Sequence, residues 1–279
     1  MIHFVGAGSG APDLITVRGQ RLLAEADVVI WAGSLVNPAL LDACRHDCEL
    51  HDSSRMTLED VIDVMERAET AGRAVVRLHT GDPCVYGAIR EQMDELDARG
   101  ISYDVTPGVS SFCGAAAALD AELTLPGVSQ TVILTRLAGR TPMPAGEGMA
   151  ELASHGASMV VFLSAGMLDR LSDELLAGGA YGPDTPAALV YKASWPDERV
   201  VRCTVGTLAQ AGLDAGIDRT ALVLVGDALA ACDPSRACGQ NEGVATSRVP
   251  ERSRLYDPTF STGYRAASAE PSPNRKEPR

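Results

Sequence analysis

From residue 2 to about residue 232, short β-branched runs alternate with stretches of helical periodicity. This alternation restricts the chain to layered α/β architecture rather than an all-α or all-β fold. Strand candidates fall at 2–5, 28–31, 74–79, 102–105, 131–135, 159–163, 188–191, 200–203 and 221–225. The clearest helix starts at Thr57, with Asp60 three residues on as an acidic capping partner and Val61, Ile62, Val64 and Met65 following. A stretch over 110–119, rich in small residues, follows the turn Thr106-Pro107-Gly108 and marks a junction near residue 118. The spacing therefore predicts two α/β domains, 1–118 and 119–232. After Asp233 the chain turns rich in Ser, Pro, Arg and Glu, too poor in large apolar residues to fold alone, so 233–279 reads as a disordered tail.

Composition narrows the function. An apolar fraction of 46% supports a sizeable core. No run of eighteen apolar residues occurs, and the N-terminus leads straight into an apolar strand, so we expect a soluble cytoplasmic protein that neither spans a membrane nor is exported. The net charge of −13 argues against a nucleic-acid partner, which needs a basic surface. The seven cysteines are scattered and odd in number, which suits a reducing compartment better than a disulfide framework. Cys44 and Cys48 could share a helix face, but no second Cys/His pair lies nearby, so no metal site is expected.

The string Gly81-Asp82-Pro83-Cys84-Val85-Tyr86-Gly87 lies between the strand at 74–79 and an amphipathic segment at 88–99. Glycines at both ends let main chain approach a ligand, Pro83 stiffens the turn, and such loops sit where α/β sheets bind small molecules. A tight turn alone would explain the same residues, so the rest of the chain decides. Gly6-Ala7-Gly8-Ser9-Gly10-Ala11 after the first strand tempts a dinucleotide assignment. Pro12-Asp13 stands where the phosphate-binding helix would begin, however, and the second strand runs into Ala32-Gly33-Ser34 with no acidic residue for a ribose. A glycine loop lining a larger pocket fits better.

Taken in order, Val5 to Thr16, Ala26-Asp27-Val28-Val29, Gly81-Asp82-Pro83 and Thr106-Pro107-Gly108-Val109-Ser110-Ser111 resemble the tetrapyrrole methylase family, over nearly everything before the tail. In the second half, Thr124-Leu125-Pro126, Gln130 to Arg136, Gly139-Arg140-Thr141-Pro142 and Val190 to Glu198 resemble members acting on corrin precursors. The resemblance implies methyl transfer from S-adenosylmethionine to a tetrapyrrole, in a homodimer whose cofactor site lies between two α/β domains. It places Gly81, Asp82, Pro83, Val85, Tyr86, Ser110 and Ser111 on the cofactor from the first domain. From the second it brings Phe162, Leu163, Met167, Tyr191, Ala193, Thr220 and Ala221.

Methyl transfer from a sulfonium to carbon disperses charge, so alignment in a dry pocket matters more than a strong base. No convincing Ser/His/Asp or Cys/His constellation occurs, and no catalytic residue is assigned. A polycarboxylate substrate calls for cations in the cleft, and Arg77, His79, Arg136, Arg140 and Lys192 are the candidates, each at a strand end or in a motif loop. His79 is expected chiefly to support the Gly81 loop. A tetrapyrrole methylase of different regiospecificity, or a noncatalytic tetrapyrrole binder, would share most of these features.

Overall fold

The computed structural model describes residues 1–232 and 250–268. The first half forms a five-stranded sheet from β1 (Ile2–Gly6), β2 (Val28–Trp31), β3 (Glu49–Asp52), β4 (Val75–His79) and β5 (Tyr103–Thr106). Its order is β3-β2-β4-β1-β5, with every pairing parallel. The inner strands β1, β2 and β4 are largely apolar and buried because helices cover both faces. Ile2, Phe4, Val28, Ile30 and Val75 pack under α2 (Leu58–Thr70) and α3 (Ile89–Ala98). Val5, Val29, Val76 and Leu78 face the other way, toward α1 (Val17–Glu25). Thr57 and Asp60 form the expected capping box on α2: Asp60 N–H donates to Thr57 Oγ1 at 3.3 Å, and Thr57 N–H donates to Asp60 Oδ2 at 2.9 Å.

β3 is the strand that periodicity missed. Glu-Leu-His-Asp offers no apolar run and sits half in solvent at the sheet edge, where charged residues discourage further pairing. Pairing with β2 places it there, aided by ion pairs from Glu49 to Arg73 and His51.

The second sheet takes β6 (Val132–Arg136), β7 (Ser158–Phe162), β8 (Pro186–Tyr191), β9 (Arg199–Thr204) and β10 (Ala221–Val225) in the order β6-β7-β10-β8-β9. Only β6 and β7 run parallel. After the short α5 (Met149–Ala153), α6 (Leu168–Ala177) and α7 (Leu208–Ala215) pack on one face of this sheet. Its other face is covered from the first half of the chain. Ala115 of α4 (Ser111–Ala118) and Leu119 pack with Val160, Phe162, Val190 and Leu224. The junction expected near residue 118 thus falls at the end of a helix that already straps the two sheets together.

Of the tail, residues 250–268 form coil and a short 3-10 turn at Arg254–Tyr256, and Glu251 N–H donates to the Pro126 carbonyl at 2.9 Å. Residues 233–249 and 269–279 lie outside the described residues.

The carboxyl ends of β1, β4 and β5 approach one another through glycine. A Cβ on Gly108 would lie 2.2 Å from the Gly81 carbonyl oxygen and 2.7 Å from Gly6 Cα. Because backbone on both sides must move to admit a methyl group, Gly108→Ala should destabilise the fold by about 2–4 kcal/mol, read by urea unfolding.

Candidate functional site

The loops leaving β1 and β4 bridge each other: Gly81 N–H donates to Gly8 O at 2.9 Å, and Gly8 N–H to Gly81 O at 3.2 Å. Asp82 fastens the arrangement with both carboxylate oxygens. Oδ1 accepts from Cys84 N–H at 2.8 Å within its own loop, and Oδ2 accepts from Gly108 N–H at 2.9 Å in the loop after β5. Gly81 itself is left-handed, at φ +60°.

The glycine string at 6–11 grips the other lobe. Ser9 Oγ lies 2.9 Å from Ser194 Oγ, and Ala11 N–H donates to the same hydroxyl at 3.0 Å. A Cβ on Gly10 would lie 2.1 Å from Trp195 Cδ1, so glycine is needed for that indole to seat. Pro12–Leu14 forms a 3-10 turn, and α1 starts only at Val17 behind a Thr16 cap. The string is therefore occupied by contact between lobes, and no helix N-terminus follows it as in a dinucleotide site.

Between the lobes lies a cleft of about 380 Å³, within the usual size range for small-molecule sites. The first lobe lines it with Ser9, Leu35, Thr80, Gly81, Asp82, Val85, Tyr86, Ser110 and Ser111. The second contributes Phe162 to Gly166 after β7, Val190, Lys192, Ala193 and Trp195 around the end of β8, and Asp218 to Leu222 entering β10. The Tyr86 and Phe162 rings meet across it, centroids 5.1 Å apart. Another depression, on the outer side of α2 among Asp63, Glu66, Arg67 and Thr70, is remote from the strand ends.

Left-handed backbone concentrates at the cleft. Tyr86, Leu163, Lys192 and Thr220 have φ of 57°, 53°, 46° and 52°, and each lines it. Non-glycine residues hold such conformations at a cost, and they cluster at ligand clamps and other functional sites.

Of the residues expected on a cofactor, Gly81, Asp82, Val85, Tyr86, Ser110, Ser111, Phe162, Leu163, Ala193, Thr220 and Ala221 come together here. Pro83 is buried beneath its loop. Met167 precedes α6 and packs on the second core. The Tyr191 ring is covered by Arg199, 4.6 Å from guanidinium carbon to centroid.

The expected cations divide differently. Lys192 lines the cleft, and Arg136 ties down its following loop by donating to the carbonyls of Leu137, Thr141 and Pro142. Arg140 is exposed on that loop. Arg77 and His79 do not reach the cleft. Alternate residues of a strand share a face, and theirs is the face under α2 and α3. Arg77 donates to Gln92 Oε1 at 3.1 Å and to Ile30 O at 3.2 Å, inside the first lobe. His79 stacks on Phe4 at 6.0 Å, and its Nε2 is buried without a hydrogen-bond partner.

Sequence reasoning passed over Ser9, Leu35, Thr80, Ser164, Ala165, Gly166, Val190, Trp195, Asp218, Arg219 and Leu222. Two signals were available, since Ser9 lies in the glycine string and Trp195 in the Val190–Glu198 run. Leu35 and Arg219 carry no local signature, and only the packing of the lobes brings them in.

Burial, reinforced by the Arg77 guanidinium, pushes His79 down to about 3. The imidazole is neutral in the folded protein, whereas an unfolded one gains a proton near pH 6.5. His79 therefore contributes stability that is whole above pH 6.5 and lost as pH falls toward 3. His79→Phe should lose about 1 kcal/mol less than the parent between pH 6 and pH 5, read by urea unfolding at each pH.

Comparison with known proteins agrees with this geometry. The family model for tetrapyrrole (corrin/porphyrin) methylases matches residues 1–209. A cobalt-precorrin-4 C(11)-methyltransferase of Methanocaldococcus jannaschii is 48% identical over 264 residues, covering 95% of each chain. The X-ray structure of a cobalt precorrin-4 methyltransferase, a cobalamin biosynthetic enzyme, superposes with a TM-score of 0.80 at 45% identity, covering 84% of this chain and 96% of that one. The uroporphyrin-III C-methyltransferase of Thermus thermophilus complexed with S-adenosylhomocysteine gives a TM-score of 0.70 at 27% identity, covering 82% and 99%.

Proposed function

The chain belongs to the tetrapyrrole (corrin/porphyrin) methylases, and on that premise we propose that it methylates C11 of precorrin-4 or cobalt-precorrin-4 with S-adenosylmethionine. The observation that carries this is its end-to-end likeness to a cobalt-precorrin-4 C(11)-methyltransferase. By the same family resemblance the protein works as a cytoplasmic homodimer, which sedimentation at twice the chain mass would support.

The cleft suits the cofactor. Its volume and apolar lining fit a folded nucleoside, and Gly81, with no side chain and φ of +60°, brings main chain to the cavity wall. Gly81, Val85, Tyr86, Ser110 and Ser111 would hold it from one side, and Phe162, Leu163, Ala193, Thr220 and Ala221 from the other. S-adenosylmethionine supplies an electrophilic methyl group on a sulfonium. Asp82 acts one step back, since its oxygens are engaged by Cys84 and Gly108 N–H and fix the loop that presents the main chain. The apolar wall of Val85, Phe162, Leu163 and Val190 excludes water, and the opposed lobes align donor and acceptor carbons. No nucleophilic side chain would be required, because S-adenosylmethionine would supply its methyl group directly to an electron-rich ring carbon, the S–CH3 bond breaking to leave S-adenosylhomocysteine.

Incubation with methyl-labelled S-adenosylmethionine and precorrin-4, with and without cobalt, should place one label on C11, located by NMR. Label at another ring position would assign a different regiospecificity, and no transfer would leave a noncatalytic binder. Removing the Asp82 carboxylate strands two N–H groups. Asp82→Ala should weaken S-adenosylhomocysteine binding at least about tenfold by calorimetry, with the fold retained by circular dichroism.

A further inference from the structure

Lys192 and Arg219 are the cationic side chains among the described residues lining the cleft, and they are not equivalent. Lys192 Nζ is held 2.7 Å from Asp197 Oδ2 and lies over the Tyr191 and Trp195 rings, 5.4 and 5.3 Å from their centroids. Arg219 is 83% exposed at the side chain, and its ion pair is with its own neighbour, Nε to Asp218 Oδ1 at 3.4 Å. So exposed a pair contributes little, and it leaves most of the guanidinium fork uncommitted.

The backbone sets Arg219 at the cleft rather than in the sheet. Thr220 follows in the left-handed region, at φ of 52°, and its carbonyl accepts from Lys192 N–H at 3.0 Å. That turn ties the entry of β10 to the exit of β8, where both cations stand. The electrostatic setting sharpens the point. With a net charge of −13 the protein repels a polycarboxylate at long range, and Asp82 and Asp218 are themselves on the cleft wall. Entry of such a substrate therefore depends on a local cation able to exchange partners.

We propose that Arg219 anchors a peripheral carboxylate of the tetrapyrrole, with Asp218 as the placeholder that the incoming carboxylate displaces. This rests on the tetrapyrrole reading above and adds the residue that receives the macrocycle edge. One ion pair replaces another, and the bidentate fork favours the substrate carboxylate over the single long contact to Asp218. The orientation of the ring carbon toward the methyl donor is then set in part by a side chain at the exposed rim of the cleft.

The test uses two water-soluble porphyrins, one carrying peripheral carboxylates and the other quaternary ammonium groups, titrated by fluorescence against the full chain. Arg219→Gln should weaken the anionic porphyrin about tenfold and Arg219→Lys less, while S-adenosylhomocysteine affinity stays within about twofold. Asp218→Asn should tighten the anionic porphyrin, and neither change at Arg219 should weaken the cationic one. In methyl transfer, Arg219→Gln should raise the tetrapyrrole KM with a much smaller effect on kcat. Unchanged anionic affinity in Arg219→Gln, or an equal loss for S-adenosylhomocysteine, overturns the anchor and leaves the methylase reading standing. A parent protein that binds neither porphyrin likewise overturns the anchor, while the methylase reading stands or falls on transfer of the labelled methyl group.

Discussion

The Asp82 carboxylate accepts one N–H from its own loop and one from the loop after β5, and the first lobe's wall of the cleft is built outward from that pair of bonds. It works only because glycine stands at each approaching turn, so that three strand ends meet at backbone contact distance. A side chain at Gly6 or Gly108 would force those turns apart and take the Asp82 contacts with them. The loop is thus rigid before any ligand arrives, which lowers the ordering cost that binding must meet.

The second lobe is held to this platform by different means. Ser194, itself left-handed at φ of 65°, offers its hydroxyl to both Ser9 and Ala11, and Trp195 seats on the bare face of Gly10. The strained positions at Leu163, Lys192 and Thr220 occur where strands β7, β8 and β10 present their ends to the cavity. Stability has been given up locally to bring main chain and small side chains to one wall, a trade common at functional sites.

Beneath the platform, Arg77 and His79 occupy the interior of the first lobe. Burial pulls the Arg77 pKa down to about 10, and its partners there are neutral acceptors rather than a carboxylate. A charge so placed is costly. What it secures is the join between the centre of β4 and Gln92 of α3, the helix that follows the Gly81 loop.

The residues read in order were enough to establish the α/β alternation, the α2 cap and the Gly81 loop, because each depends on local periodicity or on a turn that only certain residue types can make. The family resemblance was equally legible, being carried by contiguous strings such as Val190 to Glu198. Tertiary structure alone decided that the second sheet is mostly antiparallel, that Glu49–Asp52 is an edge strand, and that α4 covers the other lobe's sheet. It also decided which cations face the cleft. Arg77 lies within β4 and Arg219 just before β10, each a single charge beside an apolar run, and nothing local says which of them meets the cleft. Which face of its strand a residue occupies, and what packs on that face, is a long-range fact: it buried the first under α3 and left the second at the mouth of the cleft.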